Sequence, residues 1–126
     1  MTRLERIVRK WQKRLQLDDW EITVEYNDDP EWPNWGIIAP VPGRKEAVLV
    51  LSTLAPPERR EFIVVHELCH LLVLPLNTMA DSWAGSIPAK SRPTHTQQWT
   101  EVTEQVVNSL TKLYLAEPPS PIRIIE

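Results

Sequence analysis

Cysteine, glycine and histidine are all scarce in this chain. One cysteine, Cys69, rules out an intramolecular disulfide and gives no sign of an oxidising compartment. Three glycines against twelve prolines point to stiff loops. No apolar run is expected to reach bilayer length, and the charged N-terminus lacks an apolar stretch of signal-peptide length. The expectation is a soluble, cytoplasmic protein with no membrane partner. There is no internal repeat.

What is present fits one ordinary core. A chain of 126 residues, 42% of them apolar, is read as a single compact domain over residues 1–117, followed by a Pro-rich C-terminal tail over 118–126. The net charge of −3 is unevenly spread. Residues 1–17 carry Arg3, Arg6, Arg9, Lys10, Lys13 and Arg14 against Glu5 alone, and the remainder is acidic. A basic block of this kind is more often the solvated face of a helix than a nucleic-acid-binding arm, and the first reading is favoured.

The chain divides by periodicity. Thr2 to Leu17 reads as an amphipathic helix with Leu4, Ile7, Val8, Trp11 and Leu15 on one stripe. Trp20 to Tyr26 alternates apolar and charged residues, as a half-buried strand does. A loop rich in turn formers, Asn27 to Asn34, leads to a second strand, Trp35 to Ala39. A turn over Pro40 to Lys45 precedes a third and more buried strand, Glu46 to Ser52. A helix follows from Pro57, with Phe62, Val65, Cys69 and Val73 at helical spacing, and Pro75 is expected to stop it. Leu76 to Thr94 is less regular, with room for one short helix. A second long helix is expected over Thr96 to Glu117, with Trp99, Val102, Val106, Leu110 and Leu113 facing inward. The expected fold class is α+β: an N-terminal helix, a small three-stranded sheet and two long helices.

The chemistry gathers in Glu61 to Leu74. Two of only three histidines, His66 and His70, fall four apart, with Glu67 directly after the first. On a helix, such positions stack on one face a turn apart, so both imidazoles can meet one zinc ion while Glu67 reaches a water beside it. Cys69 is rotated away from His66 and reads as a small buried apolar residue. A catalytic zinc site normally has three protein ligands. Two candidates lie downstream: Glu104, at the border of the expected stripe, and His95, just before the helix. Glu101 lies opposite the stripe and should face water.

The order of elements together with His66-Glu67-Leu68-Cys69-His70 resembles the compact gluzincin-type metallopeptidases, the minigluzincins, and metallopeptidases of phages. The likeness covers roughly Leu4 to Leu115. It implies a glutamate on the second long helix as third zinc ligand. The ImmA/IrrE-type metallopeptidases have a similar glutamate followed by apolar residues at helical spacing. Glu104-Gln105-Val106-Val107-Asn108-Ser109-Leu110 matches that pattern better than the residues after Glu101, so the resemblance assigns the role to Glu104. SprT-like proteases also resemble this stretch, with a histidine and then an aromatic residue four positions on, as in His95 and Trp99. Thr96, where that family usually has glycine, and the long gap from His70 count against it.

The expected function is therefore zinc-dependent hydrolysis of peptide bonds. His66, His70 and Glu104 hold the metal, and Glu67 is the general base. Tyr26, Tyr114 and His95 are the available donors to an oxyanion, and Asp81 is a candidate to orient a ligating histidine. The substrate, a peptide or protein, would lie along a sheet edge supplied by the hairpin from Trp35 to Ser52. The competing readings are a non-catalytic zinc-containing binding module and a nucleic-acid-associated protease of SprT-like type. The tail, ending Ile122-Arg123-Ile124-Ile125-Glu126, could pair with a sheet edge and hold the enzyme latent or form a dimer contact.

Overall fold

Thr2 opens the first helix, α1 (Arg3–Arg14), in a computed structural model that describes residues 1–116. The Glu5 N–H donates to the Thr2 hydroxyl at 3.1 Å, and the Thr2 N–H donates back to the Glu5 carboxylate at 3.4 Å. This reciprocal cap satisfies two backbone donors that a helix start otherwise leaves bare. The expected stripe is the buried one, with Leu4, Val8, Trp11 and Leu15 in the core and Ile7 packed against it. All six basic residues of the block are exposed. α1 ends where Gln16 takes a positive φ of 58°. Buried Gln12 then fixes the exit by donating its amide to the Leu17 and Trp20 carbonyls, at 3.2 and 2.8 Å.

The sheet holds β1 (Glu21–Asn27), β2 (Gly36–Pro40) and β3 (Glu46–Ser52) in the order β1-β3-β2. β3 runs parallel to β1 and antiparallel to β2, with Ile38 opposite Leu49. The central strand is the most apolar, and its Leu49 and Leu51 are fully buried. Among the described residues the outer strand β2 has β3 on one side only, which leaves an edge. Each boundary lies within about one residue of the expected one, well inside the usual uncertainty of strand ends.

A 3-10 turn over Pro57–Arg59 leads into α2 (Arg60–Ala84), and α3 (Arg92–Leu115) completes the described chain. The fold is α+β, and its buried residues form one cluster drawn from α1, the sheet, α2 and α3. Glu61 at the start of α2 ties it to α1, accepting from Lys10 Nζ at 2.9 Å and from the Trp11 indole at 2.8 Å. These donors hold the Glu61 carboxyl below the usual range.

Three expectations about the helices need correction. Pro75 does not stop α2, which runs nine residues further to Ala84. Beyond the proline, Asn77 is bonded to α3 and Ala80 is buried, so tertiary contacts outweigh the lost backbone bond. As a result the stretch Pro57–Ala84 is long and apolar enough, by length and composition, to cross a membrane. Its apolar residues Ile63, Val64, Val65, Leu68, Leu71 and Val73 nevertheless fill the core, as in an internal helix. Next, α3 begins at Arg92, four residues early, because Pro93 sits in its first turn, where a missing N–H is harmless. Finally, the inward face of α3 is rotated. Of the expected stripe Trp99 and Leu110 are half-buried, Leu110 against the core, but Val107 and Thr111 are completely buried, whereas Val102, Val106 and Leu113 are 53%, 43% and 69% exposed. The expected tail, 118–126, lies outside the described residues, and so does any contact assigned to it.

Candidate metal centre

His66, Glu67 and His70 come from the middle of α2, where the helix is buried on nearly every side. One donor atom from each lies within 4.8 Å of the others. The two imidazoles meet edge to face with ring centroids 5.3 Å apart. From α3, the Glu104 carboxylate reaches both, Oε1 at 3.1 Å from His70 Nε2 and Oε2 at 3.5 Å from His66 Nε2. The rotation of α3 described above brings this about, since Glu104 lies beside the buried Val107 on the side facing α2.

Two imidazole nitrogens and a carboxylate converging on one point suit a metal ion. The donor set is that of catalytic zinc sites, which leave a position open for water or substrate. Burial pushes the His70 pKa down, with the Glu104 charge opposing and the His66 charge adding to it. A neutral imidazole keeps its lone pair for a ligand bond. His66 Nδ1 is buried without a hydrogen-bond partner among the described residues. Its ring is held by packing instead, stacked on Phe62 with centroids 6.1 Å apart.

Glu67 sits deeper, with 9% of its surface exposed. Burial first, and then the Glu104 charge, raise its pKa to about 7, while the Ile38 backbone N–H pulls it down. That N–H belongs to the edge strand β2, which passes close over α2 at Gly36. A Cβ on Gly36 would lie 2.6 Å from Ile63 Cγ2, so only glycine permits the approach.

The cleft between β2 and the helices has two lobes that share Asn34, Gly36, Glu67, His70 and Glu104. One, of about 390 Å³, runs past His66 to Trp35, Phe62 and Arg59. The other, of about 380 Å³, runs past Ile38 and Pro40 to Leu71, Leu74 and Asn77.

Other candidates fall elsewhere. His95 and Glu104 lie on one helix nine residues apart, about 13 Å along its axis, so His95 cannot share the cluster. Tyr114 is ten residues beyond Glu104, about 15 Å along the same axis, and Tyr26 is on β1, with β3 between it and β2. None of the three lines the cleft. Asp81 is eleven residues past His70 on α2, about 16 Å away along the axis, and exposed. Glu101 is exposed and accepts from the Gln97 amide at 3.2 Å. Cys69 is fully buried against Thr111, and burial pushes its thiol pKa up, as befits an inert core residue.

Sequence reasoning missed three residues that shape the cleft: Asn34, Gly36 and Asn77. Asn77 carried a legible signal, since it is seven residues after His70 and so falls on the same helical face. Its Oδ1 accepts from the Trp99 indole at 2.6 Å and the Thr103 hydroxyl at 3.1 Å, which leaves its NH₂ for the cleft it lines.

No curated protein and no solved structure matches the chain. The model of the IrrE N-terminal-like domain, peptidase family M78, matches residues 17–105, well over half the chain and a span that takes in both histidines, Glu67 and Glu104. A chain with that match and this pair of helices belongs to the IrrE N-terminal-like peptidase family.

Proposed function

We propose that this protein is a zinc metallopeptidase that cleaves extended peptides lying along β2. The observation that carries the proposal is the convergence of His66 Nε2, His70 Nε2 and the Glu104 carboxylate beside a buried glutamate in an open cleft. His66, His70 and Glu104 would hold the ion, with minigluzincin-like element order. Zinc there would supply Lewis acidity toward a carbonyl oxygen and make a neighbouring water more acidic.

The remaining work falls to the protein. Glu67 takes a proton from the attacking water and returns it to the leaving amine. In the metal-free chain burial already raises its pKa toward neutrality, so it is a group that can hold a proton. Ile38 is the strand residue level with Glu67, so the scissile carbonyl lies near it. A strand added at β2 gains main-chain hydrogen bonds and excludes water from the lobes on either side. The amides of Asn34 and Asn77 can donate to substrate carbonyls there.

The test is direct. The chain loaded with one equivalent of zinc should cleave an unstructured protein such as reduced casein, and E67Q should bind zinc equally and cleave at least about 100-fold more slowly. Equal cleavage by wild type and a carefully purified E67Q would remove the mechanism.

A further inference from the structure

The lobe of the cleft that passes Ile38 does not end at Pro40. Pro40 and Leu74 also line a larger open pocket of about 650 Å³, with Trp20, Val41, Pro75 and Thr78 among its other walls. The two spaces share those two walls and so lie side by side, the second where β2 ends. Its walls are largely apolar. The charges at its rim are already matched within the chain, Lys45 with Asp19 and Arg44 Nη1 with Glu46 Oε1 at 3.8 Å. Both cations line the pocket but are largely exposed and keep partners within the chain, so the apolar walls are what the pocket offers a side chain.

From these features we infer that the cavity is a substrate subsite for one bulky apolar side chain, leucine or phenylalanine in kind, two to three residues from the bond that is cut. The inference rests on the peptidase reading. The offset follows from strand geometry. The scissile bond lies near Ile38, beside Glu67, and the cavity opens at Pro40 and Val41. A strand advances about 3.3 Å per residue, so an extended substrate covers that gap in two to three residues. Val41 is the residue that fixes the end of the ladder, its N–H donating to the Glu46 carbonyl at 2.8 Å. It stands at the mouth of the cavity.

The subsite makes a specific demand on substrates. A segment that carries an apolar residue at the right distance, in an extended conformation, is found in unfolded chains and seldom on a folded surface. The class of substrate is therefore an exposed, extended apolar segment, selected some way from the bond rather than at it.

The experiment uses the zinc-loaded chain and peptides of alanine, glycine and serine with one leucine moved through every position. Cut bonds are mapped by mass spectrometry. Cleavage should occur at a fixed offset of two to three residues from the leucine, about ten-fold faster than in the leucine-free parent. Glutamate or lysine in its place should give no gain. Two variants at the exposed mouth, V41D and T78R, should reduce the leucine advantage to about two-fold or less, while V106D on the outer face of α3 should retain it. A readout independent of turnover is the indole N–H resonance of Trp20, assigned with Trp20→Phe. Titration with N-acetyl-leucinamide should shift it in wild type and not in V41D. Cleavage with no offset preference and an unmoved Trp20 overturns the subsite. Cleavage absent altogether, with Trp20 shifted by the leucine derivative, removes the peptidase reading and supports an apolar binding site.

Discussion

α2 and α3 are nearly equal in length and both line the candidate metal centre, yet one is written plainly in the sequence and the other is not. The middle of α2, residues 63–73, is buried on almost every side, so its histidines stand out as polar residues in an apolar run. α3 covers the site from one side only. Its inward face is Thr103, Glu104, Val107 and Thr111, while Val102, Val106 and Leu113 face outward. The difference teaches that a helix covering its neighbour from one side need not turn its whole apolar stripe inward. Periodicity reports the face with the largest apolar area, and on α3 only Trp99 and Leu110 of that face pack inward.

The largest effects should separate the two helices by chemistry. E67Q on α2 should lower peptide hydrolysis by about 10²- to 10⁴-fold with zinc content unchanged. On α3, Glu104→Ala should weaken zinc binding by about 100-fold or more, beyond the loss usual for groups that only orient a ligand. Glu101→Ala should change neither quantity. Zinc affinity by competition with a chelating dye, beside initial rates, reads both. Zinc affinity unaltered in Glu104→Ala would end the division of labour between the helices.

A smaller effect belongs to α2 alone. In the zinc-free protein Glu67 is a buried acid whose pKa is raised from 4.5 when unfolded to about 7 when folded. Between these values the folded chain binds more protons than the unfolded one. Its contribution to stability is therefore fully present below pH 4.5 and lost as pH rises through 7. The loss should be on the order of 3 kcal/mol. Urea titrations in excess chelator should show stability falling across that window, and a flatter profile in E67Q. His70, whose pKa burial lowers, acts with the opposite sign in this window, so the comparison decides: identical profiles for wild type and E67Q would show that Glu67 is not held in an apolar setting.

Much of this was legible beforehand, for physical reasons. Strand alternation and the stripe of α1 are local signals, and the structure keeps them. The pair His66 and His70 needed only a helix to bring the two together. Pro75 reads as a stop in the sequence, because the bonds of Asn77 that help carry α2 past it come from Trp99 and Thr103 on α3 and are not local. Gly36 could not be interpreted without knowing that β2 passes over Ile63. Asn77 had the right spacing, but its task depends on Trp99 and Thr103 on another helix.

The rotated face of α3 can be weighed by a matched pair of substitutions. Val107→Ala removes two methyl groups from a fully buried position and should cost about 2 kcal/mol. Val106→Ala is one residue away on the exposed face and should stay within about 0.5 kcal/mol of wild type. Similar costs at the two positions, by thermal or chemical unfolding, would mean that α3 packs through the apolar stripe after all.

The smallest effect is expected where α3 appears least like a core helix. Thr111 is completely buried and lies against Cys69 of α2, which makes it look like a polar contact holding the two helices together. Its hydroxyl, however, donates to the Val107 carbonyl at 2.7 Å, one turn back in its own helix. The bond is satisfied within α3 and contributes nothing specific to the packing of α3 on α2. Valine has nearly the same shape and is likewise branched at Cβ. The Val107 carbonyl can still accept from the backbone of residue 111, and the Cys69 thiol is a weak partner at best. The lost hydroxyl bond and the gained apolar surface should nearly cancel, so T111V should lie within about 0.5 kcal/mol of wild type. Its zinc affinity should be unchanged. A cost above about 2 kcal/mol would instead make the Cys69–Thr111 contact a structural bond between the helices, and α3 would then be placed by its polar residues in two ways, at the metal and at its far end.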